Sequence, residues 1–150
     1  MSETHHFELQ SQLTDQVEGD GNLTLSTGTI NYGVPSQFGG TTGKTSPEEL
    51  ILAALSSCFS MTLGFVLEKR KVSARLLGMH AEGIVNRIER QLVLTAITIH
   101  PQIAIDSDSE KTRQDVNAAI ERSEQACLIS NAIRGNVELK VEAVIEIHPR

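Results

Sequence analysis

Tryptophan is absent from this 150-residue chain, tyrosine occurs once, and phenylalanine four times. A core must therefore be built from Leu, Ile, Val, Ala and Met, and few aromatic platforms remain on which bases could stack. Basic residues are missing from the first half: Lys44 and Lys69 stand against eight acidic side chains before the first arginine, Arg70, and the net charge is −6. No basic patch offers itself to nucleic-acid backbones or anionic lipids, so a small molecule or a protein partner is the expectation, with neither nucleic acid nor membrane. Cysteine occurs only at 58 and 127, and five histidines are scattered, so the paired spacings of a zinc site are lacking and neither metal nor cofactor is expected. No nucleophile-elbow sequence is present to anchor a Ser/His/Asp triad. The opening "MSETHHFELQ" lacks the basic start and apolar stretch of a secretory signal, which predicts a cytoplasmic protein. In that compartment two cysteines are not a permanent staple: they are inert core residues or they cycle.

Length and a 39% hydrophobic composition suit one domain spanning residues 1–150. Residues 6–14 and 22–34 read as short strands separated by the turn-rich "EGDGN". A loop containing Gly39, Gly40 and Gly43 precedes the first helix, whose start is marked by Ser46 as N-cap, Pro47 in the first turn and Glu49 completing a capping box. From Leu50 to Leu67 no residue is charged and every face is apolar or small. This predicts a helix buried on nearly all sides, while Ser56, Ser57, Ser60, Thr62 and Gly64 dilute its apolarity relative to a membrane span.

Residues 72–86 and 91–105 read as a β-hairpin joined through "NRIER". A second helix is predicted from a capping box at Ser107 and Glu110, with Val116, Ala119, Ile120, Ser123, Cys127 and Ser130 along one inward stripe as far as Gly135. Strict alternation over 137–147 predicts a half-buried strand. Strands, helix, strands, helix, strand without regular βαβ alternation give an α+β fold with a mostly antiparallel sheet. One sheet and one amphipathic helix do not cover a wholly buried helix, which predicts a homodimer with a shared core.

Three groups of residues could carry chemistry. "GGTTGKT" at 39–45 has the flavour of a phosphate loop, but the motif needs glycine at position 38, where this chain has Phe38, and a flexible loop is the better reading. His80 and His100 lie in β runs and read as hydrogen-bonded structural histidines. The two cysteines sit at inward-facing helical positions, where a single thiol would most simply be packing, but a pair could meet and form a reversible disulfide if the Cα atoms approach within about 7 Å.

"TSPEELILAALSSCFSMTL", followed 69 residues after its cysteine by "CLISNAIRGNVEL", resembles the OsmC/Ohr family of thiol peroxidases. The resemblance implies an intertwined α+β homodimer that reduces organic hydroperoxides, with Cys58 as the peroxidatic thiol, Cys127 as the resolving thiol and Glu48 as the glutamate of the Pro-Glu motif. A thiolate attacking a peroxide leaves a sulfenic acid that condenses with a second thiol, and the family's disulfide is reopened by a dithiol, lipoyl groups being favoured. The family also implies an arginine that favours the peroxidatic thiolate, placed in the N-terminal strands or the glycine-rich loop. This chain has none there. Lys44 is the candidate activating cation, with Arg75, Arg87, Arg90 and Arg134 as further substitutes, and an ammonium lacks the flat two-pronged grip of a guanidinium. The dipole of the helix that carries Cys58 cannot replace it, because the residue lies about three turns in. Glu48 and Cys58 are separated by about 15 Å of helical rise, so Glu48 is expected to serve the thiol across a dimer interface, with Leu55, Phe59 and Met61 walling the site. The alternative is a non-peroxidatic dimer of the same fold that binds a small hydrophobic ligand or senses redox state.

Overall fold

The computed structural model describes residues 3–149. The chain divides into two compact units, Met1–Ile51 and Leu52–Arg150, and the long helix α1, Pro47–Lys69, begins in the first and continues into the second.

The first unit is an antiparallel meander of β1 (Gln10–Asp15), β2 (Asp20–Leu25) and β3 (Gly28–Tyr32). The single strand expected over 22–34 is thus two strands, because the chain reverses between Leu25 and its partner Gly28. Asp15 organises the preceding turn: its carboxylate accepts the N–H of Glu18 at 3.0 Å and of Val17 at 2.8 Å, and these bonds hold its pKa below the ordinary value. Gly21 leaves room for the Tyr32 ring, since a Cβ there would come within 2.3 Å of the Tyr32 hydroxyl. After β3 the glycine-rich loop folds back beside the strand, with Thr45 N–H donating to Asn31 O at 2.9 Å and Gly33 N–H to Thr45 O at 3.1 Å.

The start of α1 follows the sequence expectation. Ser46 Oγ accepts the Glu49 N–H at 3.1 Å and Glu49 Oε2 accepts the Ser46 N–H at 2.8 Å, a closed capping box. Burial further along is one-sided within the single chain. Leu55, Phe59, Leu63, Val66 and Leu67 form one buried stripe, whereas Met61 is 71% and Phe65 63% exposed. The chain by itself covers one face of α1, because the other elements supply contacts along only that stripe. Its length and apolarity would suffice to cross a membrane, a property it shares with core helices.

The second unit is organised by a long antiparallel hairpin, β4 (Ala74–Ile88) and β5 (Gln91–Ile105), turned tightly at Glu89 and Arg90. On β5, Ile97, Ile99, Pro101, Ile103 and Ile105 recur at every second position and are buried, as a one-sided sheet requires. Gly83 on β4 accommodates α1, since a Cβ there would meet Leu52 Cδ2 at 3.4 Å. The strand expected over 137–147 is broken into β6 (Glu138–Val141) and β7 (Val144–Ile147), both parallel to β5. At the break Glu142 N–H still donates to Ile99 O at 2.9 Å, so the alternating pattern runs on through an interrupted ladder. The result is α+β with mixed sheets.

The second helical region also differs from expectation. Helix α2 runs from Glu110 to Ala126 with Ser109, not Ser107, as its N-cap, because it is the Ser109 hydroxyl that accepts the Thr112 N–H at 3.0 Å. It stops at Cys127, whose extended backbone (φ −70°, ψ 121°) ends α2 and begins a separate short helix, α3, Leu128–Ile133. The inward stripe is nonetheless correct: Val116, Ala119, Ile120, Ser123, Cys127 and Ser130 are all buried.

Candidate active site

The second unit brings Cys58 and Cys127 together. Cys58, half-buried on α1, is hydrogen-bonded to the thiol of Cys127, which is buried at the α2–α3 junction, and both cysteines are free. The junction explains how. With Cys127 as N-cap, α3 begins with three N–H groups that have no acceptor inside the helix. The Ser130 N–H ends on Cys127 Sγ at 3.5 Å, and the Ile129 and Leu128 N–H groups are directed at the Cys58 sulfur.

These contacts answer the question of the missing arginine. Burial pushes the Cys58 thiol up, but the Ile129 N–H, the Cys127 thiol, the Leu128 N–H and the Thr62 hydroxyl together outweigh it and leave its pKa below the ordinary thiol value. Thr62 contributes least, as its hydroxyl proton already goes to the Cys58 carbonyl at 2.8 Å. None of the groups favouring the anion is a cation. The reasoning that discounted a helix dipole concerned α1, and it holds for α1. The donors come from a different helix, one that the sequence pattern did not separate from α2.

None of the charged candidates is among the groups that act on Cys58. Lys44 Nζ is paired with Asp20 inside the first unit. Glu48 sits in the first turn of α1, half-buried, and its Oε2 is covered with no hydrogen-bond partner among the described residues. Arg134 is tied to its own neighbourhood, donating to Glu124 O at 3.3 Å and Asn131 Oδ1 at 3.2 Å and lying 3.8 Å from the Glu124 carboxylate. Arg75 is exposed and lines an open cavity of ≈ 450 Å³ with Glu68 and Lys71, while Arg87 and Arg90 are exposed at the tip of the hairpin. Of the predicted walls, Leu55 and Phe59 are fully buried and only Met61 faces outward. A wall residue that sequence reasoning missed is Leu128, 76% exposed although its own N–H bonds Cys58; its place immediately after Cys127 was the available signal.

The remaining candidates have ordinary partners. His80 and His100 stack across β4 and β5 with ring centroids 5.6 Å apart, and His100 Nε2 lies 3.1 Å from Glu82 Oε1. Among the described residues no three His, Cys, Asp or Glu side chains are grouped as a metal site. The 39–45 loop commits its lysine to Asp20 and leads into a helix start capped by Ser46 and Glu49.

Chemically, the site is a pair of hydrogen-bonded thiols, one of them poised toward the anion by neutral donors. Comparison with known proteins gives this pair a context. Residues 39–142, which include both cysteines, match the family model described as OsmC-like protein. The chain is 29% identical over 146 residues to the uncharacterized protein YmaD of Bacillus subtilis, covering 95% of this chain and 96% of that one. It is 26% identical over 128 residues to peroxiredoxin OsmC of Escherichia coli, covering 83% and 87%. In three dimensions it resembles an OsmC-like protein of unknown function from Vibrio cholerae with a TM-score of 0.77 at 16% identity, over 94% of this chain and 100% of that one.

Proposed function

The chain belongs to the OsmC-like family, and from that premise we propose that it is a two-cysteine peroxidase for organic hydroperoxides. Relatives named peroxiredoxin OsmC and organic hydroperoxide resistance protein OhrB support peroxide handling as the family-level activity. The observation that carries the specific reading is the hydrogen-bonded thiol pair with α3 N–H groups on Cys58.

The Cys58 thiolate attacks the distal oxygen of the hydroperoxide. The O–O bond breaks, the alkoxide takes up a proton and leaves as the alcohol, and Cys58 is left as a sulfenic acid. Cys127, already in contact, then attacks the sulfenic sulfur as its thiolate. The S–O bond breaks, hydroxide leaves and recombines with the Cys127 proton as water, and the Cys58–Cys127 disulfide remains. A dithiol, such as a lipoyl group, reopens it by thiol–disulfide exchange.

We assign Glu48 a part in the same site, reached across a homodimer interface. Its carboxylate oxygen, unpartnered among the described residues, calls for a donor from outside them, and the exposed Met61 and Phe65 leave α1 an apolar face for a second copy to cover. The pairing of Lys44 with Asp20 supports a site that works without a fixed cation, and the same fact favours the second reading, a ligand-binding or redox-sensing dimer.

One measurement separates the two. Titrating free thiols in the reduced protein before and after one equivalent of cumene hydroperoxide should show rapid loss of two thiols per chain, and Cys58→Ser should lose none on that timescale. Survival of both thiols in the parent protein would remove the peroxidase reading and leave the binder.

A further inference from the structure

Two serines are buried in the helices of the second unit, and they are satisfied differently. Ser123, fully buried, donates its hydroxyl to Ala119 O at 2.7 Å, the back-bond available to a serine within a helix. Ser130 is 1% exposed, its N–H is spent on Cys127 Sγ, and its Oγ has no hydrogen-bond partner among the described residues. Buried hydroxyls are seldom left in this condition, because the bond they give up to water goes unreplaced.

The surroundings of Ser130 indicate what replaces it. It lines a cavity of ≈ 130 Å³ together with Glu124, Arg134, Gly135, Val137 and Leu139. At about 30 Å³ per molecule this is room for roughly four waters. The walls are polar on the helical side, where the Glu124 carboxylate and the Arg134 guanidinium lie 3.8 Å apart, and apolar on the side of Val137 and Leu139. A buried water needs two to four polar partners, and Ser130, Glu124 and Arg134 can supply them.

We propose that this half-open cavity is a hydration site, in which ordered water joins the buried Ser130 hydroxyl to the Glu124–Arg134 pair, and that Ser130 is thereby a positioning residue for Cys127. The water ties the first turn of α3 to the last turns of α2, the two elements that meet at Cys127. It fixes the residue whose N–H bonds the Cys127 sulfur, and so holds that sulfur in place for its attack on Cys58. The hydration site stands on the cavity alone, whereas the role in disulfide closure rests on the peroxidase reading or on any other oxidation of the pair.

Ser130→Ala tests both parts. If water holds the hydroxyl, the reduced variant should melt about 2–4 °C lower, and Ser130→Thr, which keeps the hydroxyl, should recover much of the loss. A dry cavity gives the opposite sign: alanine removes an unpaired polar group, the melting temperature stays level or rises, and the hydration site is overturned. Disulfide closure driven by diamide, which needs no peroxide, should slow several-fold in Ser130→Ala and recover in Ser130→Thr. After one equivalent of cumene hydroperoxide, capture of the Cys58 sulfenic acid by dimedone should rise several-fold. Unchanged diamide closure in Ser130→Ala overturns the positioning role. Normal closure by diamide combined with no thiol loss to peroxide in the parent protein would instead count against the peroxidase reading.

Discussion

At the start of α1 the free N–H groups are closed off by the helix's own side chains, Ser46 and Glu49 bonding reciprocally; at the start of α3 they end on sulfur. The same backbone groups are bonded within the helix in one place and to thiol sulfur in the other. The difference follows from the capping residue. A serine with a glutamate three residues on satisfies the helix end from within. A cysteine takes one N–H weakly, at 3.5 Å, and leaves the first two for an acceptor outside the helix, which here is the Cys58 sulfur. Neutral donors can thus substitute for a cation where the acceptor is partly withdrawn from water.

The largest expected effect comes from removing the capping sulfur. Cys127→Ser keeps a good N-cap, so α3 should persist, but closure of the disulfide is lost altogether. Peroxide should then consume one thiol per chain rather than stay at two, and the sulfenic acid should accumulate as a dimedone adduct detectable by mass. Loss of the Cys58 thiol without a dimedone adduct, as a disulfide between two chains, would mean that the sulfenic acid is resolved without Cys127 and would remove Cys127 from the mechanism.

Leu128→Pro addresses the comparison most directly. Leu128 is the first residue of α3, where proline fits a helix, and Cys127 before it already has the extended backbone that a residue preceding proline adopts. The substitution therefore removes little besides one N–H directed at Cys58. The Cys58 pKa should rise toward the ordinary thiol value of about 8.5, and iodoacetamide alkylation at pH 7 should slow several-fold. The sign in stability follows as well. A thiol whose folded pKa is depressed contributes stability above its unfolded pKa, and that contribution is lost as pH falls through the folded value. The stability difference between parent and Leu128→Pro should accordingly shrink from pH 9 downward, and chemical denaturation at several pH values reads it.

How far this site was legible in the sequence is set by which features leave a local pattern. The Ser46–Glu49 capping box does, and it appears at those residues. The apolar run around Cys58 and the inward phase of Cys127 also do. The break at Cys127 does not, because Ser123, Cys127 and Ser130 remain in helical phase across it and neither glycine nor proline marks it. A cysteine is not an expected cap, so nothing local announced that α3 would present fresh N–H groups to Cys58. The break between β6 and β7 was hidden in the same way, since Val141, Ala143 and Ile145 keep strict alternation through it. For α1, composition reports how apolar the helix is and so that one chain would not cover it all, but only the packing of its neighbours decides which face they cover.

Opening the sealed terminus is the complementary experiment. Ser46→Ala removes the acceptor for the Glu49 N–H and should cost about 1 kcal/mol in chemical denaturation, the usual effect of losing an N-cap. Cys58 alkylation should be unchanged, since no donor on its sulfur is touched. A parallel fall in alkylation rate would mean that the start of α1 favours the thiolate beyond placing Glu48, and the division of labour between the two helix ends would fail.

The smallest expected effect tests the cation. Lys44 is paired with Asp20 and both are partly exposed, so Lys44→Ala should change stability by no more than about 1 kcal/mol. Its informative readout is the pH dependence of Cys58 alkylation. If the thiolate is favoured by N–H groups alone, the midpoint stays where it is in the parent protein and is insensitive to added salt, because neutral donors in contact with the sulfur are not screened. A lysine acting on the thiolate predicts a midpoint that moves up in Lys44→Ala, and a parent midpoint that moves up with salt. The two mechanisms therefore differ in direction rather than degree, and one titration at low and high ionic strength decides whether the arginine absent from the first 69 residues has been replaced by a charge or by the end of a helix.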